Sequence, residues 1–280
     1  MNANERLAER ALTGIGLVSV AVLALIILFI FKEGSPALAK VGVWQFITGE
    51  DWLPSKGQFG IYPMILGTLA VTLGALVVGM PVGLGCALYL SEFAPKRVAS
   101  VLKPAIELLA GIPSVVVGFI GLTVLVPFVR SRFGGPGFSV MAASVVLGIM
   151  VLPTMMSVSY DSLRAVPQSY RDGMAALGAT DWQTTWMVTL PSARPGILAA
   201  AILAMGRAVG ETMAVIMVAG NATVAPHSLL DPVRTMTSNI ALEMGYATGL
   251  HRQALFATGV VLFVMVGVLN GAARSLVRGK

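Results

Sequence analysis

The sequence predicts an all-α, polytopic transmembrane helical bundle of about six spans, and three observations carry the prediction. Of the 280 residues, 56% are hydrophobic and only 11% are charged, against roughly a quarter charged in soluble domains. Several apolar runs reach the ~20 residues that a helix needs to cross a hydrocarbon core. Runs such as "IGLVSVAVLALIILFIF" are apolar on every face and lack the alternation of a membrane barrel. A helix satisfies its own backbone where lipid offers no hydrogen-bond partner.

In chain order, spans are predicted near residues 11–31, 63–91, 101–129, 139–160, 196–220 and 254–273. The first follows the charged head "MNANERLAER". Ala37-Leu38-Ala39 resembles a signal-peptidase site, but the apolar run before it exceeds the 7–15 residues of a cleavable segment. Residues 1–62 therefore read as an uncleaved anchor span with an external stretch, and residues 63–275 as the core. Pro81, Pro104, Pro113, Pro127 and Pro153 each remove a backbone donor and tend to kink their helices. Gly111, Pro113 and Gly118 in "LAGIPSVVVGFIGL" either bend the third span or let helices approach closely. Residues 32–62 are external, with Trp44 and Trp52 suited to the membrane interface. Residues 221–253 are external too, and "DPVRTMTSNIALEMG" predicts a short helix over the mouth of the bundle.

The net charge of +6 is dispersed in ones and twos between the apolar segments, which speaks against a nucleic-acid surface and for membrane topology. With the N-terminus inside, Arg6, Arg10, Lys96, Arg97, Lys103, Arg164, Arg171, Arg194, Arg274, Arg278 and Lys280 are cytoplasmic. Lys32, Lys40, Lys56, Arg130, Arg132, Arg234 and Arg252 are external. That is 11 against seven, with Arg207 left in the membrane to complete the 19 basic residues. Both termini are thus predicted to be cytoplasmic. Cys86 stands alone and reads as a small core residue. His227 and His251 lack metal-ligand spacing and read as surface residues. Glu107 lies near a span end and either snorkels or meets Lys103. A phosphate-binding G-x-x-x-x-G-K-[ST] loop, a nucleophile elbow and a dinucleotide fingerprint are all missing from the sequence. The chain carries no catalytic constellation, and any driving energy must come from another subunit.

The segment at 161–195 has structure of its own. Pro167 can open a helix, "QSYRDGMAAL" can run to Gly178, and Thr180 with Gln183 has the capping-box spacing for a second helix, which Pro191 and Pro195 would end. Met174, Leu177, Trp182 and Trp186 are unusual on a solvated linker and suggest docking to a partner. From Asp172 through Gly178 to Leu190 and Pro191, the segment resembles the coupling loop of ABC-importer permeases, whose pattern is Glu-Ala-Ala, three residues, Gly, nine residues, Ile-x-Leu-Pro. Gly178, Leu190 and Pro191 match, Val188 stands at the Ile position, and Asp172-Gly173-Met174 replace Glu-Ala-Ala. "LLAGIPSVVVGFIGL", "GRAVGETMAV" and "TMTSNIALEMG" extend the resemblance to the PstC branch of phosphate-importer permeases, over about residues 10–275.

The resemblance implies a type I ABC-importer permease fold and one half of a heterodimeric pore for inorganic phosphate in the bacterial inner membrane. Its implied partners are a PstA-like sister permease, a PstB-like ATPase dimer and a PstS-like periplasmic phosphate-binding protein. It further implies that ATP and Mg are bound by the ATPase partners and that this chain holds no cofactor. Asp172, Ala175, Ala176, Leu177, Gly178, Trp182, Leu190 and Pro191 would couple to the ATPase. Permeases for sulfate, molybdate or phosphonate, and the PstA-type sister subunit, are the alternatives within the class. A proton-coupled secondary transporter working through Glu211 is the alternative outside it, and leaves the cytoplasmic elbow unexplained.

Arg207 and Glu211 sit four residues apart in an otherwise apolar stretch and would share one face of a continuous helix. A lone charge at mid-membrane costs about 2.5–3.5 kcal/mol on insertion scales. Two readings follow: a structural ion pair locking the fold, or a pair facing the path, with Arg207 attracting an anion through its forked donors. In the second reading Glu211 accepts a hydrogen bond from protonated phosphate and repels anions such as sulfate that have no proton to give. Thr212 and Asn221 either line the path or bond back to the backbone.

Overall fold

The computed structural model of the chain describes residues 3–278, with side chains placed for residues 12–275. Arg6, Arg10, Arg278 and Lys280, counted above for orientation, have side chains outside the described residues. Helix α1 (Ala3–Val41) is followed by α2 (Val43–Thr48), a hairpin of β1 (Trp52–Leu53) and β2 (Gln58–Phe59), and α3 (Tyr62–Leu88). The two strands pair antiparallel, Trp52 opposite Phe59. A π-turn, Tyr89–Phe93, ends α3. Next come α4 (Lys96–Leu109), then α5 (Ser114–Ile120) and α6 (Val126–Phe133) joined by a π-turn, and α7 (Val140–Arg164). The elbow consists of α8 (Gln168–Ala176) and α9 (Asp181–Thr184). The chain then continues through α10 (Leu190–Gly210), α11 (Met213–Val218), α12 (Met236–Glu243) and α13 (Gly249–Arg278).

Among the described residues six helical stretches are long and apolar enough to span: Leu12–Val41, Tyr62–Phe93, Ser114–Phe133, Val140–Arg164, Asp181–Gly210 and Gly249–Ser275. The number agrees with the sequence, and three spans are bounded differently. The first runs on to Val41, past its expected end at 31, so Lys32 and Lys40 lie in the helix and not in a separate stretch after it. The expected span at 101–129 merges two elements. Helix α4 stops at Leu109, and the spanning helix starts afresh at Ser114. Pro113 has no N–H to donate and steers Ile112 away from helical dihedrals, while Gly111 closes a tight turn on the Leu108 carbonyl at 3.0 Å. The expected span at 196–220 instead begins at Asp181 and ends at Gly210. Pro191, expected to terminate the elbow, lies just after a π-turn at Thr185–Thr189 that leads into α10, and Pro195 is carried inside the helix.

The core is built on the seam between α3 and α7. Gly79 and Gly83 face Gly148 and Met155 there, so close that a Cβ on Gly79 would lie 2.6 Å from the Gly148 carbonyl oxygen. Small residues of this kind let membrane helices approach closely enough for dispersion to hold them. Val71, Ala75, Leu147 and Val151 fill the seam, and Ala200, Ala204 and Ala208 lay α10 against it. Helix α1 stands outside this core and packs along α13, with Gly34 backing onto the Ala257 backbone. Of the two tryptophans expected at the external interface, Trp44 is exposed, but Trp52 is buried with Phe46, Phe59 and Ile61. Gly79→Leu should lower the thermal midpoint of the detergent-purified protein by overpacking worth about 1–3 kcal/mol. Gly16→Leu, which has nothing within 4 Å of its Cβ position, should leave that midpoint unchanged.

Candidate functional site

The fifth span breaks where the sequence put its charged pair. Gly210 is the last helical residue of α10, Glu211 is extended at φ −69° and ψ 131°, and α11 starts at Met213. The helix on which Arg207 and Glu211 were expected to pair ends at Gly210, and no ion pair joins the two among the described residues. The backbone at the break is satisfied by protein. The Glu211 N–H donates to the Ala208 carbonyl at 3.3 Å, and Thr237 Oγ1 donates to the Glu211 carbonyl at 3.1 Å. Glu211 Oε1 accepts from the Ala214 N–H at 3.3 Å, capping the first turn of α11. Thr212 Oγ1 donates to the Gly210 carbonyl at 3.2 Å, and Asn221 Nδ2 donates to the Ile216 carbonyl at 2.8 Å. Both polar candidates thus bond back to the backbone.

Arg207 is exposed in the last turn of α10 and has no ion pair or hydrogen bond among the described residues. An unpaired guanidinium on a spanning helix that faced lipid would cost about 2.5–3.5 kcal/mol or more. The face is tolerable only against a watery cavity or another subunit. Broken spanning helices occur where they line such a cavity. The arrangement offers a fixed positive charge with forked donors and, four residues on, a carboxylate that spends one oxygen on its cap.

Beyond the break lies a buried polar clamp that the sequence reading missed. Glu243, 7% exposed, takes Arg234 Nη1 at 2.7 Å, Trp52 Nε1 at 2.8 Å and His251 Nε2 at 2.8 Å. Arg234 also donates to the Asn239 side chain at 3.0 Å and the Asn221 carbonyl at 3.0 Å. His251, read as a surface residue, is corrected to a member of this clamp, which ties β1, the loop after α11, α12 and the start of α13 together. No local spacing announces it, because its members come from segments as far apart as Trp52 and His251. A nearby outward-opening cavity of about 490 Å³ is lined by Glu50 and Asp51 and excludes Arg207. Two carboxylates disfavour anion binding there.

The elbow is built as its spacing predicts. Helix α8 runs to Ala176, Gly178 turns at φ +77°, and Thr180 and Gln183 form the reciprocal capping box that opens α9. Ala175, Ala176, Leu177, Gly178, Trp182 and Pro191 are exposed, and Leu190 is half-buried. Asp172 is exposed and accepts from Gln168 Nε2 at 3.1 Å. Leu177 and Trp182 are 83% and 59% exposed, a large apolar presentation for a polar face of the protein. Trp182 packs in tilted contacts against Phe93 and Trp186.

What fastens the elbow to the bundle is a residue the sequence reading passed over. Arg171 grips Glu92, at the end of α3, through Nη2–Oε1 at 2.9 Å and Nε–Oε2 at 3.3 Å. It also donates to the Leu163 and Val166 carbonyls at the end of α7, at 3.0 and 2.8 Å. Bidentate, charge-assisted pairs of this kind fix geometry as well as energy. Glu92, an acid between a long apolar run and Pro95, was the available sequence signal. A second tie joins α4 to α7, where Lys103 Nζ lies 2.9 Å from Asp161 Oδ1. That hydrogen bond, opposed by partial burial, raises the lysine's pKa.

Comparison with known proteins agrees with this geometry. The family described as "binding-protein-dependent transport system inner membrane component" matches residues 79–279. A probable ABC transporter permease protein of Bacillus subtilis, YqgH, is 42% identical over 260 residues, covering 90% of this chain and 84% of its own. The phosphate transport system permease protein PstC of Mesorhizobium japonicum is 34% identical over 282 residues, covering 91% and 86%. Among solved structures, a bacterial ABC transporter involved in alginate import superposes with a TM-score of 0.59 at 18% identity, covering 97% of this chain and 98% of that one.

Removing one partner of a buried pair typically costs about 3–5 kcal/mol, and the half-buried Arg171–Glu92 pair, 19% and 8% exposed, should lose less than that. Arg171→Ala should accordingly lower the thermal midpoint and speed limited proteolysis between residues 165 and 190, whereas Leu177→Ala, an exposed side chain, should change neither.

Proposed function

Since the chain belongs to the family of binding-protein-dependent transport system inner-membrane components, we propose that it is the PstC-type permease subunit of an ATP-driven importer of inorganic phosphate. The protein is a multi-pass membrane protein and a pore-forming subunit without an active site of its own. Its family works with an ATPase and a substrate-binding protein. In the reading proposed here these are a PstB-like ATPase dimer, which supplies ATP and Mg, and a PstS-like periplasmic phosphate-binding protein. A PstA-like sister permease completes the pore. The subunit sits in the bacterial inner membrane with both termini cytoplasmic and needs no cofactor of its own.

The observation that carries the reading is the unpaired Arg207 at the broken end of α10. The same helix, continuous as Asp181–Gly210 over 30 residues, reaches from the elbow to this charge, about 45 Å at the α-helical rise. Closure of the ATPases on Leu177 and Trp182 would move α8 and α9. Arg171 would carry that motion to the ends of α3 and α7, and α10 would carry it to the break. Phosphate released by the binding protein meets Arg207, whose planar fork matches two phosphate oxygens. Glu211 keeps one oxygen free of partners among the described residues. Phosphate near neutral pH still bears a proton and can donate to that oxygen, and sulfate cannot.

Labelled-phosphate uptake in cells lacking their own importers, supplied with this subunit and its partners, tests the reading. Arg207→Gln should lower uptake at least tenfold, the scale of a lost charge-assisted contact of about 1.5–3 kcal/mol, with assembly and ATPase association intact. Uptake at the wild-type rate would remove Arg207 from the path. Glu211→Gln should narrow the preference for phosphate over sulfate in competition, and an unchanged preference would place selection elsewhere.

A further inference from the structure

A cleft of about 300 Å³ opens at the elbow's end of the bundle, between the end of α3, the first turns of α4 and the last turns of α7. Lys96, Lys103, Arg164, Ser91, Ser100 and Tyr160 line it, and no carboxylate does. Lys103 is committed to Asp161 and lies 4.4 Å over the Tyr160 ring. Glu92, next to Ser91, is spent on Arg171. Lys96 and Arg164 are exposed and have neither ion pair nor hydrogen bond among the described residues. Of the lining hydroxyls, Ser91 donates to Glu92 and Ser100 to the Arg97 carbonyl, so the cleft presents two uncompensated cations to an anion that the protein does not supply.

Helix α4 indicates which anion. It directs Ile106 inward to the cluster around Ala87, Leu163 and Ala193. Outward it leaves Val101 67% and Leu108 75% exposed, with Leu102 and Leu109 beside them. A helix apolar on its outer side and basic at its start lies in the membrane interface, its apolar face among acyl chains. We infer that this cleft binds the phosphate group of an anionic phospholipid, the headgroup between Lys96 and Arg164 and the acyl chains along the outer face of α4. Basic pockets between spanning helices capture such headgroups through local electrostatics. The inference rests on the spanning architecture and is independent of what the pore transports.

The assembled importer in nanodiscs of phosphatidylcholine containing a minor fraction of phosphatidylglycerol, examined by native mass spectrometry, tests it. The wild-type complex should retain phosphatidylglycerol over phosphatidylcholine. Lys96→Gln with Arg164→Gln should reduce that preference by about fivefold per charge removed, and the charge-keeping pair Lys96→Arg with Arg164→Lys should retain it. Equal retention by the glutamine variant overturns the site. Displacement of phosphatidylglycerol by millimolar inorganic phosphate overturns the lipid as occupant, since the cleft would then take the free anion.

Discussion

The break between Gly210 and Met213 is the constraint on which the fold from α11 to the start of α13 depends. A spanning helix that stops within a transmembrane bundle exposes carbonyls and amides that lipid cannot satisfy. The chain meets this by folding its next segment back over the gap. Thr237 reaches the Glu211 carbonyl, and Val233 bonds reciprocally with Ala219 and Asn221. Asn221 turns through φ +57° to allow it. Arg234 then holds the Asn221 carbonyl with one nitrogen and Glu243 with another. The buried Glu243 clamp is best understood as the anchor of that cover. Its carboxylate is tolerable in the interior because three donors surround it, since a buried charge left unpaired would be costly.

The same break decides what Arg207 and Glu211 can do. On an unbroken helix the two would neutralise each other, and an anion would have to compete with Glu211 for the guanidinium. Termination at Gly210 gives the Glu211 carboxylate a backbone amide, that of Ala214, to cap. Arg207 is thereby left as a charge without an internal partner. Its position in the last turn of α10 is mildly favourable, because the helix dipole presents partial negative charge there, but that effect leaves the donors vacant. A structural ion pair is consequently the weaker reading of these residues.

How much of this was legible beforehand follows from which interactions are local. The elbow was readable because Gly178, Thr180 and Gln183 act within a few residues: a left-handed turn and a capping box have fixed spacing. The six spans were readable because lipid imposes length and hydropathy. The break in the fifth span was not, since glycines such as Gly206 and Gly210 are common within unbroken spanning helices, and the bonds that hold the break come from distant Thr237 and from the Glu211 side chain. Pro113 did carry its signal, but hydropathy alone ran α4 and α5 together. Arg171 with Glu92 and Glu243 with Trp52 and His251 are tertiary pairs, without sequence spacing to betray them.

The two ends of α10 are chemically opposite, and that asymmetry makes a lever plausible where a flexible span would not. At the elbow the rod is continuous through a π-turn, and Thr185 Oγ1 bonds back to the Asp181 carbonyl at 2.8 Å, so displacement of α9 has little slack to absorb it. Ala193, Ala200, Ala204 and Ala208 bed the rod on the bundle with small side chains, which offer few interlocking knobs against sliding or rolling. At its far end the rod terminates in a break between buried Val209 and Ala214, bridged by a few hydrogen bonds. In the reading proposed above, strain delivered along α10 would be released at Gly210–Thr212, close in sequence to Arg207, where the contact with an anion would have to be made and lost.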